Sequence, residues 1–408
     1  MDLSRVVTIV LAGGKGQRLE PLTRDRAKPA VPFGGIYRIV DFALSNCANS
    51  GLKKLSVLVQ YRSRSLNRHL RDGWQVLFNP AVGEYLESLP PQFHAGEAYQ
   101  GTADAVYQNL FAIREEEPEH ILVLAGDHIY KMDYRHILKH HVDHKADATV
   151  GAVEVPVREA AGQFGVLQVD TQNRIIGFEE KPADPKPLPN NPEICLGSMG
   201  IYVFKPDALY KMLEEDARDP ASAHDFGRNI VPRMVRNQEP VYSFSFIDEN
   251  KKEAKYWRDV GTIEAYYAAN LDLVAVTPEL NLYDDHWPIR TMPITAPPPK
   301  FVFAQQEPGR VGLALDSLVS SGCIVSGGRV ERSVLSPNVR INSYSLVTDS
   351  ILFEDVVVGR HSKLHRTIVD KGVKIPEGMQ IGFFPEEDRK RFTVTESGIV
   401  VISKRTVL

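Results

Sequence analysis

Short runs of β-branched and aliphatic residues recur through the first two-thirds of the chain, at 6–11, 55–59, 121–125, 148–153 and 201–204. Each predicts a buried strand. Between them, the stretches 102–117, 133–146, 206–218 and 262–275 have the length or the patterning of helices. Alternation of this kind predicts an α/β domain with a Rossmann-like, mostly parallel sheet.

The pattern changes at 284. Residues 288–308 contain six prolines, three of them consecutive at Pro297-Pro298-Pro299, and little periodicity, which predicts a linker over 284–310. Beyond it a repeat begins. Counting from Leu313 in steps of 5, 6 and 6, through Leu318, Ile324 and Val330 to Ile381, every position is aliphatic. A second element recurs every 17 residues as Ser333-Val334-Leu335, Ser350-Ile351-Leu352 and Thr367-Ile368-Val369. Three short strands per coil, each sending one aliphatic side chain inward, describe a left-handed parallel β-helix of the hexapeptide type. The domains expected are therefore 1–283, the linker 284–310, and a β-helix with a terminal strand segment over 311–408.

Composition narrows the chemistry. With 408 residues, 48 Lys and Arg against 52 Asp and Glu, and a net charge of −4, bulk charge does not hold nucleic acid. Cys47, Cys195 and Cys323 lie far apart, so neither a CxxC metal motif nor a disulfide framework is expected. No apolar run reaches the ~18 residues of a membrane span. A protein of a soluble, reducing compartment is expected, the cytoplasm.

The strand at 6–11 empties into Ala12-Gly13-Gly14-Lys15-Gly16-Gln17-Arg18-Leu19. Glycines directly after a buried strand let backbone N–H groups approach phosphate oxygens. Neither GxGxxG nor GxxxxGK[ST] is present, so what remains is a glycine turn with Arg18, followed by Lys28 in Arg26-Ala27-Lys28-Pro29-Ala30. Two cations there suit a polyphosphate; a plain tight turn has comparable standing. Asp127 follows the strand at 121–125, where open α/β sheets bind ligands, and Asp259 lies in Trp257-Arg258-Asp259-Val260-Gly261. Two carboxylates could share one Mg²⁺, although a lone Asp also caps helices. Phe178-Glu179-Glu180-Lys181-Pro182 places Lys181 for a phosphate monoester or for its acidic neighbours. His136, His140 and His144 share a helix face, but without HExxH a solvated face is the better reading. His361 and His365 sit among Arg360, Lys363 and Arg366, which disfavours histidine-dependent acyl transfer.

Taken together, the segments from Leu11 to Leu19 and from Arg26 to Val31, with Gly101-Thr102-Ala103-Asp104-Ala105-Val106, Gly126-Asp127-His128-Ile129-Tyr130, Phe178 to Pro182 and Tyr256-Trp257-Arg258-Asp259-Val260-Gly261-Thr262, resemble the bacterial ADP-glucose pyrophosphorylases. The resemblance covers essentially the whole chain. Asp41-Phe42-Ala43-Leu44-Ser45-Asn46 and Ser198-Met199-Gly200-Ile201-Tyr202-Val203-Phe204 narrow it to the ADP-glucose branch. It implies a nucleotidyltransferase joining ATP and α-glucose 1-phosphate to ADP-glucose and pyrophosphate, Mg²⁺-assisted, for glycogen synthesis.

Carried over by position, the resemblance implies triphosphate and nucleotide contacts at Leu11, Ala12, Gly13, Gly14, Gly16, Arg18, Lys28, Gln60, Gln92, Gly101 and Thr102. It implies metal carboxylates at Asp127 and Asp259, and sugar-phosphate contacts at Tyr99, Gly165, Glu180, Lys181 and Ser198. It further implies a homotetramer without nucleic-acid or membrane partners, and phosphorylated-metabolite effectors held by basic residues such as Arg26, Arg38 and Lys371. Asp25 stands where members activated by fructose 1,6-bisphosphate carry a lysine, so a singly phosphorylated sugar or small acid is the expected activator. Two alternatives differ in class: an enzyme for another NDP-sugar, and a catalytically silent regulatory subunit. The intact Arg18, Lys28, Asp127, Lys181 and Asp259 argue against the second.

Overall fold

A computed structural model describes residues 1–92, 98–189, 191–246, 256–305 and 309–408. They group into two compact units that cut across the order of the chain: Met1–Gly14, Phe42–Gly126 and Tyr130–Trp257 in the first, and Lys15–Asp41, Asp127–Ile129 and Arg258–Leu408 in the second.

The first unit is built on a nine-stranded sheet. Its strands are β1 (Val6–Leu11), β2 (Lys54–Leu58), β3 (Tyr85–Leu89), β4 (His120–Ala125), β5 (Ala148–Pro156), β6 (Gly165–Val169), β7 (Ile175–Glu180), β8 (Ile194–Phe204) and β9 (Val241–Ser245). The order runs β7-β6-β8-β4-β1-β2-β3, with β5 on β8 and β9 on β5. β1 lies parallel to both β2 and β4, and β2 to β3. β8 enters antiparallel to β4, β5 and β6, and β7 is antiparallel to β6, so only β7 and β8 run against the other strands. The mostly parallel sheet agrees with the strand pattern of the sequence. Its parallel part is buried on both sides: Val7, Ile9, Ile121 and Val123 pack on one face with Val106, Leu110, Leu209 and Met212, and Val6, Val10, Leu122 and Leu124 are buried on the other.

The helix expected over 102–117 is two, α1 (Thr102–Gln108) and Leu110–Glu115, broken at Asn109, whose side chain donates to Ala105 O and to the Tyr99 hydroxyl. α2 (Tyr134–Asp143) and α3 (Pro206–Ala217) follow the expected pattern. On α2 and at its end, His136 and His144 are exposed and His140 is half-buried, in keeping with the solvated face expected, while the His140 and His144 rings lie 4.0 Å apart and reach Phe244 and Tyr242.

In the second unit three parallel ladders stack into the expected β-helix. Val330 pairs with Val347, Val347 with Leu364, and Leu364 with Ile381, a 17-residue step. The serines of the second repeat form their own ladder: Ser350 N donates to Ser333 Oγ and Thr367 N to Ser350 Oγ. Corners turn at left-handed residues, among them Asn338 (φ 63°), Asp355 (φ 63°) and Gly372 (φ 71°). The first coil corrects the sequence reading. Val319 pairs with Leu335 and Val325 with Ile341, a 16-residue step, so Ala314, Val319 and Val325 join the core while Leu313, Leu318 and Ile324 do not. One residue fewer exchanges the two faces of every strand in that coil. Lys300–Val302, within the stretch expected to be linker, pairs with Ile324–Ser326 as a further strand; 306–308 lie outside the described residues.

The second unit also contains the loop 15–41 and helix α4 (Ile263–Asp272). Tyr266 sets its ring edge-on to Phe33 and to Phe353 of the β-helix, Tyr267 Oη donates to Asp349 O at 2.6 Å, and Asn270 Oδ1 accepts from Gly34 N.

Candidate active site

β1 and β4 end side by side, Leu11 opposite Ala125, and the chain leaves them at Ala12 and Gly126. Ala12 N donates to Leu58 O and Gly126 N to Leu11 O, which fixes the mouths of both loops. A Cβ on Gly13 would sit 3.3 Å from Gln60 Cβ, whereas one on Gly14 would meet nothing within 4 Å. Gly16 holds φ 63°, and a side chain there would meet Thr23 and Lys28 at 3.1 and 3.0 Å. The loop thus needs glycine at 16 both for its backbone and for the close approach of Lys28.

Within the second unit Lys28 is buried, and its Nζ lies 3.0 Å from Asp127 Oδ2 and 2.9 Å from Asp259 Oδ1. His128 Nε2 approaches the same carboxylates at 3.5 and 3.9 Å. Donor atoms of Asp127, His128 and Asp259 all lie within 4.8 Å of one another. A Cβ on Gly261 would fall 3.1 Å from the Asp259 carboxylate and 3.2 Å from the Arg18 guanidinium, which places Arg18 beside Asp259. Burial disfavours charge on Asp127, but Lys28 and His128 outweigh it and hold its pKa down at about 2. Burial likewise works against charge on Lys28, and the two carboxylates reverse it, raising its pKa. Two hard carboxylates with an adjacent imidazole fit a divalent cation of the Mg²⁺ or Mn²⁺ type.

The first unit holds a second constellation. Glu180 closes β7 opposite Gly165, and its Oε2 lies where side chains on Gly165 or Gly227 would go, 2.8 and 2.4 Å from their Cβ positions. Asp225 Oδ1 lies 3.4 Å from that same Gly227 position. Burial, then the Asp225 charge, raise the Glu180 pKa. Lys181 follows with φ 50°, a strained backbone for lysine, its Nζ 3.8 Å from Glu180. Ser198 is buried where β8 breaks register, and Gly200 N donates to its Oγ at 3.4 Å. Tyr99 joins Gln60 instead: its N–H donates to Gln60 Oε1, and its hydroxyl donates to Leu89 O. Burial pushes that hydroxyl up to about 12. Gln92 is exposed and bonded to Pro90 O. Thr102 Oγ1 donates to Asp225 Oδ2 at 2.9 Å.

Two members of these clusters are not legible in sequence. His128 follows Asp127 directly, and nothing in its spacing marks it as more than a neighbour of the carboxylate. Asp225 sits at the N-terminus of 226–230 and accepts from Gly227 N and Arg228 N, so in sequence it reads as an ordinary cap.

Of the residues expected to hold an effector, Arg26 is buried and bonds Asp370 with one guanidinium nitrogen at 2.8 and 3.1 Å. Its Nη1, also buried, has no partner among the described residues. Arg38 donates to Ala30 O, and Lys371 Nζ lies 2.6 Å from Glu354. Burial, then the Arg38 charge, lower the Lys371 pKa to about 8.

The carboxylate pair bridged by an ammonium in the second unit, and the acidic and basic cluster in the first, each suit phosphate-bearing ligands, the chemistry of a phosphoryl-group transferase. Residues 7–275 match the nucleotidyl transferase family, and 297–402 match the GlmU-like C-terminal hexapeptide family. The glucose-1-phosphate adenylyltransferase of Rhodopirellula baltica is 55% identical over 98% of this chain and 90% of its own. Those of Koribacter versatilis (55%, over 97% and 94%) and an Anaeromyxobacter species (54%, over 98% of both) are similarly related. The chain belongs to the glucose-1-phosphate adenylyltransferase family of nucleotidyl transferases.

Proposed function

We propose that the protein transfers the adenylyl group of ATP to α-glucose 1-phosphate, yielding ADP-glucose and pyrophosphate. The meeting of Lys28, Asp127 and Asp259, in a chain half-identical to adenylyltransferases along its length, carries this reading. A phosphate oxygen of the sugar phosphate attacks the α-phosphorus of ATP, and the bond to the β-phosphate oxygen breaks. Catalysis is then alignment and charge stabilisation. Asp127 and Asp259, with His128 beside them, would hold Mg²⁺, which when bound neutralises phosphate charge. Arg18 and Lys28 meet the charge that grows on departing pyrophosphate. Lys181 orients the attacking phosphate, while Glu180 and Asp225 accept sugar hydroxyls, Glu180 having room because 165 and 227 are glycines. Gly13, Gly14, Gln60, Gly101 and Thr102 receive the nucleotide. Pyrophosphate release measured with each nucleoside triphosphate and glucose 1-phosphate tests the reading; a faster reaction with UTP, dTTP or GTP would overturn the choice of base.

Ground-state and transition-state roles separate kinetically. Lys181→Ala is expected chiefly to raise KM for glucose 1-phosphate, whose phosphate is charged before reaction. Lys28→Ala is expected chiefly to lower kcat. Steady-state kinetics showing the reverse would exchange the two assignments.

We further infer an anion effector site at Arg26, Arg38 and Lys371, supported by the buried, unbonded Nη1 of Arg26. Lys371 is cationic below its pKa of about 8 and neutral above it, so effector affinity should fall as pH rises through that value. Bound anion moves the fall upward. Exposed Asp25, 3.7 Å from Arg24, should keep fructose 1,6-bisphosphate weaker than fructose 6-phosphate or pyruvate. Activation titrations at fixed ionic strength across pH 7–9 check both points; micromolar activation by the bisphosphate, undiminished in Asp25→Lys, would remove Asp25 from effector choice. A cytoplasmic homotetramer serving glycogen synthesis fits this reading, and among the described residues no helix is long and apolar enough to cross a membrane.

A further inference from the structure

The helix α1 opens without a side-chain cap. Its first amides are satisfied from elsewhere: Ala103 N and Asp104 N donate to the carbonyl of His224 at 2.8 and 3.3 Å. The approach is so close that a Cβ on Gly101 would lie 2.2 Å from His224 O and 2.4 Å from Ala223 O. His224 holds φ 52°, a conformation that an L side chain adopts only when its surroundings impose it. The surroundings are on α3. Asp216, buried on its last turn, accepts from His224 Nδ1 at 2.8 Å and from Ser222 Oγ at 2.6 Å, and Ser222 Oγ in turn accepts from His224 N. Arg233 faces the same aspartate at 3.9 Å while bonding Asp219 at 2.9 Å. The residue after His224 is Asp225, which takes the Thr102 hydroxyl and stands beside Glu180.

We propose that the Asp216–His224 pair is a positioning device that sets the nucleotide-side residues Gly101 and Thr102 and the sugar-side residue Asp225 through one turn, touching neither substrate. The proposal rests on the adenylyl-transfer reading for which side serves which substrate. It explains why a strained residue is kept at 224. The side chain pins the turn from outside the substrate pockets, and the backbone it pins supplies the carbonyl that seats α1.

The test uses two variants of the full-length enzyme. His224→Gly relaxes the left-handed backbone but removes the imidazole. His224→Asn places an amide N–H near the position of Nδ1 and tolerates positive φ. Loss of this part-buried hydrogen bond to a carboxylate is expected to raise both KM values, for ATP and for glucose 1-phosphate, by roughly tenfold, with kcat little changed. Asn should restore both to within about twofold of wild type. Hydrogen exchange at the Ala103 and Asp104 amides should accelerate in the Gly variant and return to normal in the Asn variant. A purely local strain effect predicts the opposite, since Gly is the less strained residue. Asp225→Asn separates the proposal from the reading beneath it. If Asp225→Asn raises KM for glucose 1-phosphate while His224→Gly changes neither KM nor exchange, positioning is overturned and the substrate assignment stands. If His224→Gly frees the amides but neither variant moves any KM, the substrate assignment has failed and the proposal with it.

Discussion

Asp127→Asn is expected to leave the fold intact and to lower kcat by at least ~10²–10³-fold, the usual effect of deleting one preorganised electrostatic contact, with loss of a metal ligand costing more. The change is isosteric, and the side chain is about one-third exposed, so little packing is disturbed. What disappears is charge. Asp127, held ionised down to about pH 2 by Lys28 and His128, is a carboxylate throughout the working range. Because that folded-state pKa is depressed, the stability it contributes is present above the ordinary carboxylate pKa. It fades only as pH falls toward 2. A loss of activity between pH 5 and 8 is therefore expected to come from another group. Steady-state kinetics combined with direct titration of Mn²⁺ into the variant gives the answer. An enzyme within tenfold of wild type that still binds metal would end the assignment.

The second large effect concerns stability. Arg26 and Asp370 are buried almost completely, with side-chain exposures of 4% and 2%. Asp370→Ala leaves a guanidinium in the interior without its counter-charge, and is expected to destabilise the second unit by ~3–5 kcal/mol. The double variant Arg26→Met/Asp370→Leu should recover most of this, because an apolar pair of similar volume removes the unpaired charge. Thermal and urea unfolding of the three proteins decide it. A double variant as unstable as the single one would mean that the ion pair is not what holds these segments.

Much of this is legible in the sequence, and the reasons differ by element. β1 and β4 stand out because strands buried on both faces read as nearly continuous β-branched and aliphatic runs. The β-helix stands out because each coil repeats the core requirement of its neighbours. Yet sequence periodicity places the first coil one residue out of register. Leu318-Val319 and Ile324-Val325 are adjacent aliphatic pairs, so composition cannot say which member faces inward, and only pairing with Leu335 and Ile341 decides. The ends of buried strands hint that Lys28, Asp127 and Asp259 converge, but their sequence spacing carries no distance, and only the folded chain brings them together. Asp225 and His224 leave no periodic trace at all. A capping aspartate and a histidine in a turn are common, and only the hydrogen bonds to Thr102 and Asp216 distinguish them.

Arg18, Lys28, Asp127 and Asp259 belong to the same compact unit as the β-helix. That unit is tied internally by Tyr266 against Phe353, Tyr267 to the Asp349 carbonyl, and Arg26 to Asp370. For anyone building chimeras, the hexapeptide coil is consequently not an exchangeable tail. Grafting a foreign coil after residue 299 would preserve every strand of the nine-stranded sheet and still dismantle the mould in which the ammonium and its two carboxylates are set. A workable exchange would have to carry the loop 15–41 and α4 across with the coil, as three stretches of sequence that behave as one part.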